Sequence, residues 1–236
     1  MKPVAIFRHS PTEGPGYFAT YLEARGLPWQ LVKLDQGEAV PAGIDDFSGL
    51  VFMGGPMSVN DDLPWIPPVL ELIRKAVAAD VPVLGHCLGG QLMSKALGGS
   101  VGRNQVKEIG WGEIEVADNP EALAWFGPGL PRFESFHWHG ETFTIPPGAV
   151  RIMGNPVCEN QGFVTGKNLG MQCHVEMTEQ LIDSWCESGA DEIAGSSASP
   201  AVQSAEQMKT RMQEKIVAMR RVADRLYDKW VEGLKA

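Results

Sequence analysis

The 236-residue sequence has no surplus of positive charge, no long apolar run and no paired cysteines. Lys and Arg number 20 against 29 Asp and Glu, for a formal net charge of -9 and a pI near 5.1. Without spare cations to displace counterions from phosphates, nucleic acid is excluded as an expected partner. No stretch approaches the roughly 18 apolar residues of a membrane helix. Met1-Lys2-Pro3-Val4 opens no charged-then-apolar leader pattern, so neither a membrane nor export is expected. Cys87, Cys158, Cys173 and Cys186 form no C-x-x-C pair. A chain this long buries a core without covalent staples, and reduced thiols in the cytoplasm are the expectation. There is also no internal repeat.

What is present alternates. Val4–Phe7 and Phe47–Met53 are compact apolar runs of the kind that form buried strands, and a further strand is expected at Trp29–Leu34. Between them, Phe18, Tyr21 and Leu22 mark one helix, and Val69, Leu70, Ile73 and Val77 fall on one face of a second, Ile66–Ala79. Strand and helix in turn predict βαβ units and a mostly parallel α/β sheet with right-handed crossovers. From Trp111 the texture changes to short strands between Gly and Pro: Glu113–Val116, Glu134–Phe136, Glu141–Ile145, Val150–Met153, Gly162–Thr165 and Leu169–Cys173. These predict later sheet strands and a small antiparallel layer. Ser188–Ser204, rich in Ser, Ala and Gly, reads as a connector or loose loop. Beyond it, Met208, Met212, Ile216, Met219, Val222, Leu226 and Trp230 step by three or four. They predict an amphipathic helix whose stripe packs on the domain, or on a second copy or partner. The chain thus divides into a domain over 1–185 and a connector with a C-terminal helical appendage over 186–236.

Val81–Leu97 carries the first chemistry. A short apolar strand runs into Gly85-His86-Cys87-Leu88-Gly89 and then a helix from Gly90 to Leu97. Glycines two residues to either side of Cys87 are what a nucleophile elbow needs, because Cβ atoms there would collide in the strained turn. The thiol then lies at a helix N-terminus, where the dipole favours thiolate. A lone cysteine is also what a buried inert thiol looks like. A nucleophile requires a base, and the base a group that orients it. His174 follows an apolar run, and Glu176, two residues on, projects to the same side if the segment is extended. Cys87, His174 and Glu176 are therefore the candidate nucleophile, base and orienter.

Gly85-His86-Cys87-Leu88-Gly89-Gly90-Gln91, with Gly54-Gly55-Pro56 upstream and Gln172-Cys173-His174-Val175-Glu176 downstream, resembles the class I (triad) glutamine amidotransferases over residues 1 to about 180. The resemblance implies a flavodoxin-like doubly wound fold, attack by Cys87 on a γ-carboxamide, and a γ-glutamyl thioester. It implies an oxyanion site at the backbone N–H groups of Gly55 and Leu88, and substrate contacts at Gly54 and Gln91. Trp138-His139-Gly140-Glu141 resembles the family's Ser-His-Gly-Asp stretch, which adds Trp138 and His139 to the substrate wall. A Trp in place of Ser suits a γ-glutamyl compound larger than glutamine. The chain shows no ATP-binding or synthetase module to consume ammonia, so the pattern is closest to stand-alone members. The alternatives are a glutaminase subunit serving a separate synthetase, a homodimer, and a catalytically silent regulatory protein. No cofactor is implied. His137 and His139 share one strand face, yet no third ligand stands at a persuasive spacing, so no metal is expected either. His9 has no assigned role, His86 is expected to point away from the pocket into the elbow's packing, and Cys173 is expected in the core.

Overall fold

A computed structural model describes residues 1–235. Val4–Arg8 (β1), Gly16–Ala24 (α1), Trp29–Lys33 (β2), Gly49–Phe52 (β3), Ile66–Ala78 (α2), Val83–His86 (β4) and Leu88–Ala96 (α3) come first. They are followed by Val101–Val116 (β5), Pro120–Phe126 (α4), Arg132–Phe143 (β6), Val150–Gly154 (β7), Gly162–Thr165 (β8) and Asn168–Met171 (β9). The chain ends with Glu179–Ser188 (α5), Ala190–Gly195 (α6), Ala201–Val202 (β10), Ala205–Lys209 (α7) and Met212–Val231 (α8).

Strands β2-β1-β3-β4-β9 are parallel, the flavodoxin-like order of a doubly wound sheet. β3 and β4 are buried at every residue, because helices cover the sheet on both faces. One face packs on α2 and α3 through Val69, Ile73 and Leu92; the other packs on α1 and α8 through Phe18, Tyr21, Tyr227 and Trp230. The antiparallel strands β8, β7 and β5 continue edge to edge from β9 in the same sheet, with β6 folded back on β5. The sequence shows only fragments of the long β5–β6 hairpin. Over Val101–Lys107 no residue is buried, so the alternation that marks a half-buried strand is missing there.

The Ser/Ala/Gly-rich stretch is ordered. It forms α6, and β10 adds to β5 in parallel at Glu108–Ile109. Gln203 then clamps the backbone N–H and C=O of Trp111. Its small residues reflect tight packing, since a Cβ on Gly189 would collide with the Trp138 ring. The apolar stripe of α8 is covered within the chain: Ile216, Met219, Leu226, Tyr227 and Trp230 are buried. Tyr17 and Tyr21 of α1 anchor the helix by donating to Asp224 and Asp228, each at 2.7 Å.

Candidate active site

Cys87 sits between β4 and α3, at the carboxyl end of a central parallel strand, where open α/β sheets bind ligands. Its backbone has φ 50° and ψ -108°, a conformation that costs a residue with a side chain about 1–3 kcal/mol. The glycines permit the bend as the sequence predicts: a Cβ on Gly89 would strike the Phe52 carbonyl, and one on Gly85 the backbone of Gly89. The Cys87 N–H donates to Met171 O at 2.8 Å, which ties the elbow to β9. The helix begins at Leu88 rather than Gly90, so the Leu88 N–H is a first-turn donor without an intrahelical partner.

His174 and Glu176 meet, though not as strand neighbours. His174 makes an isolated bridge to Phe136, after which the chain turns, and the turn rather than strand alternation brings the carboxylate round. Nδ1 of His174 lies 2.7 Å from Glu176 Oε1, with both side chains buried. His174 Nε2 is buried without a hydrogen-bond partner, and the ring lines the same cavity as the Cys87 thiol. Burial opposes charge on the imidazole, but Glu176 and then Cys87 outweigh it and hold the ring well above the ordinary histidine range. Burial likewise opposes the Glu176 carboxylate, and His86 and His174 overcome it and hold it below the usual range. The turn is pinned from behind by the Tyr17 N–H, which donates to Glu176 O at 2.8 Å.

Gly54 and Gly55 lie on the other side of the thiol. A Cβ on Gly54 would crowd His174, and one on Gly55 would crowd the Leu88 side chain, so this turn and the first turn of α3 face each other closely. His9 supports the turn by donating from Nδ1 to Met53 O at 3.0 Å; its burial pushes the ring down to about 4. Gln91 reaches Gln172 Oε1 at 3.1 Å, and Gln172 Nε2 lies 3.5 Å from Cys87 Sγ. Trp138 and His139 line the same cavity of about 870 Å³. Trp138 is clamped by Glu192, whose Oε2 accepts from its indole N–H at 2.8 Å.

Two parts of the site escape the sequence reading. Glu13, in the loop after β1, lines the cavity with its carboxylate against Gly54 and beside His174. Burial pushes it up to about 7. Its only signal is position, an acid just before Gly14-Pro15-Gly16 at the carboxyl end of a parallel strand. The second is Glu108, which the β5–β6 register sets opposite His139, so that Glu108, His137 and His139 form a buried group. The Glu108 oxygens already accept from Asn155 (2.7 Å) and Gln161 (2.8 Å), and His139 Nε2 lies 2.9 Å away. Glu108 is thus the third group beside the two histidines that the sequence spacing did not show, and both His137 ring nitrogens are buried without a hydrogen-bond partner. Cys173 lies in the core, pushed up to about 12 by burial.

A doubly wound sheet with a strained cysteine elbow facing a buried His–Glu pair defines the class: an amidotransferase-type α/β protein. The chain belongs to the glutamine amidotransferase class-I family, whose model matches residues 17–185. It is similar to the glutamine amidotransferase-like protein YfeJ of Salmonella typhimurium, 29% identical over 221 residues covering 88% of this chain and 91% of that one. It is 26% identical to gamma-glutamyl peptidase 3 of Arabidopsis thaliana over 178 residues, 71% of each chain. Among solved structures, a glutamine amidotransferase from Methylobacillus flagellatus superposes with a TM-score of 0.96 at 44% identity, covering 100% of this chain and 96% of that one. No helix among the described residues is long and apolar enough to cross a membrane.

Proposed function

We propose that the protein hydrolyses the γ-amide bond of glutamine or a small γ-glutamyl compound through a thioester on Cys87. The observation that carries this reading is the strained thiol facing an imidazole whose far nitrogen is held at 2.7 Å by a buried carboxylate. In the first half-reaction Cys87 Sγ, its proton already held on His174 Nε2, attacks the γ-carbonyl carbon. Negative charge on the carbonyl oxygen is met by the Gly55 and Leu88 N–H groups. The C–N bond breaks as His174 returns the proton to the departing amine. Water then attacks the thioester, His174 takes a proton from it, and the C–S bond breaks to release glutamate. Glu176 keeps a proton on Nδ1, so that Nε2 remains the acting base.

The cavity supports a substrate larger than glutamine. Glu13, Glu141 and Glu192 with Arg103 and Lys107 give its wall both charge signs, which suits the ammonium and carboxylate of an amino-acid end. The test is glutamate release from glutamine and a panel of γ-glutamyl dipeptides, together with covalent labelling by a glutamine-analogue diazoketone. Turnover and a label on Cys87 are expected; an unlabelled Cys87 with no glutamate from any substrate rejects the proposal. Running the panel with and without source-cell lysate separates a self-sufficient hydrolase from a subunit that hands ammonia to a synthetase.

A further inference from the structure

His86, the last residue of β4, is fully buried behind the elbow, and no step of the chemistry above uses it. Its Nε2 lies 3.1 Å from the Tyr227 hydroxyl and 3.7 Å from Glu176 Oε2. Glu176 Oε1 is engaged by His174, whereas Oε2 is buried without a hydrogen-bond partner, as is His86 Nδ1. A buried carboxylate oxygen left in that state bears its full desolvation penalty unless a positive edge faces it. We propose that His86 and Tyr227 are positioning residues for Glu176, so that helix α8 is a working part of the catalytic centre; this rests on the triad reading above.

A hydrogen on His86 Nε2 turns the positive edge of the ring to Glu176 Oε2. The Tyr227 oxygen accepts the same N–H and stops the ring from rotating. A hydrogen on Nδ1 would instead set the Nε2 lone pair against the carboxylate. Tyr227 is fixed in turn by edge-to-face packing on Phe18 at 4.7 Å and Tyr21 at 5.2 Å. The remaining titratable groups around Glu176 do not fill this role. His174 holds the other oxygen, burial keeps Cys173 and Tyr227 neutral, and Glu13 adds like charge when ionised. Tyr227 lies outside the family-matched segment 17–185, so this support reaches the triad from beyond it.

The test needs no known substrate. Iodoacetamide alkylation of Cys87 in the full-length chain is followed by mass spectrometry from pH 6 to pH 9, with circular dichroism as the check on folding. Tyr227→Phe removes one hydroxyl, and His86→Gln removes the ring. Both are expected to slow alkylation about five- to tenfold at pH 6 and less than about twofold at pH 9, where thiols ionise without help. Lys215→Ala, which removes the pair between the same helix and Glu134 without touching His86, Tyr227 or Glu176, is expected to follow wild type. Turnover of any accepted substrate falls in kcat with KM unchanged. Alkylation within twofold of wild type at every pH in both variants overturns the proposal, as does an equal deficit at all pH values. A wild-type chain that shows the expected alkylation differences yet cleaves no γ-glutamyl amide sustains the positioning role while rejecting the substrate.

Discussion

The indole N–H of Trp138 donates to Glu192 Oε2 at 2.8 Å, and through that bond helix α6 holds one wall of the cavity. Lys107 pairs with the other Glu192 oxygen, and Gly189 leaves room for the edge of the Trp138 ring. Releasing Trp138 should therefore change recognition more than chemistry. Glu192→Ala is expected to raise KM about three- to tenfold with kcat within about twofold of wild type, the signature of lost uniform binding. Trp138→Ser is expected to lower the preference for a γ-glutamyl dipeptide over glutamine. Steady-state kinetics on both substrates decide; an unchanged KM ratio in Trp138→Ser removes Trp138 from substrate selection.

The elbow stores strain that a comparison of two inactive variants reads directly. Cys87→Ala keeps a Cβ at φ 50°, whereas Cys87→Gly relieves it. Glycine lowers stability elsewhere by enlarging the unfolded ensemble, so a more stable glycine variant is diagnostic. Cys87→Gly is expected to exceed Cys87→Ala by about 1 kcal/mol in denaturant unfolding, with both devoid of turnover. The reverse order would place the strain outside residue 87.

Glu13 gives a pH dependence of definite sign. Its carboxyl titrates near 7 in the folded chain, against an ordinary value of 4.5, first because of burial and then because Glu176 and Glu192 face it. The folded state thus holds this proton more tightly than the unfolded chain does. The stability it contributes is full below about pH 4.5 and is lost as pH rises through 7. Glu13→Gln should match wild type at pH 5 and be more stable by about 1–2 kcal/mol at pH 8, a figure that allows for partial solvent contact of the carboxyl. Thermal melts at the two pH values measure it; equal gains at both would show that charge is not the cause.

The parallel half of the sheet was legible because its strands are covered on both faces, so Val4–Phe7 and Leu50–Met53 are uninterrupted apolar runs. The elbow was legible because its glycines answer a steric demand that two flanking positions declare. The pairing of Glu176 with His174 was expected from the right spacing but the wrong geometry, since a turn does what strand alternation was expected to do. The groups that only topology joins could not be read in order. Glu108 meets His139 through hairpin register, Tyr227 meets His86 across 141 residues, and Glu13 reaches the site through the β1 loop. The Ser188–Ser204 stretch misled for a related reason. Small residues usually mark loose chain, and here Gly189 allows close packing on Trp138 while Gln203 ties the stretch to the Trp111 backbone.

Gly16 couples the backbone of α1 to the triad most directly. It adopts φ 50°, and a Cβ there would collide with the Glu176 carbonyl, the same oxygen that accepts the Tyr17 N–H at 2.8 Å. Gly16→Ala therefore meets two penalties: a left-handed backbone with a side chain, and a contact that only a shift of the Glu176 turn relieves. The first alone costs about 1 kcal/mol or more, and the second raises the total to about 2–3 kcal/mol in unfolding experiments. Because the displaced turn carries the group that orients His174, the damage extends to the chemical step. The expected result is a fall in kcat of about tenfold with KM changed less than about threefold, since the cavity walls stand on other elements. A variant that loses stability but keeps kcat would show that the turn moves as a rigid piece and takes His174 with it.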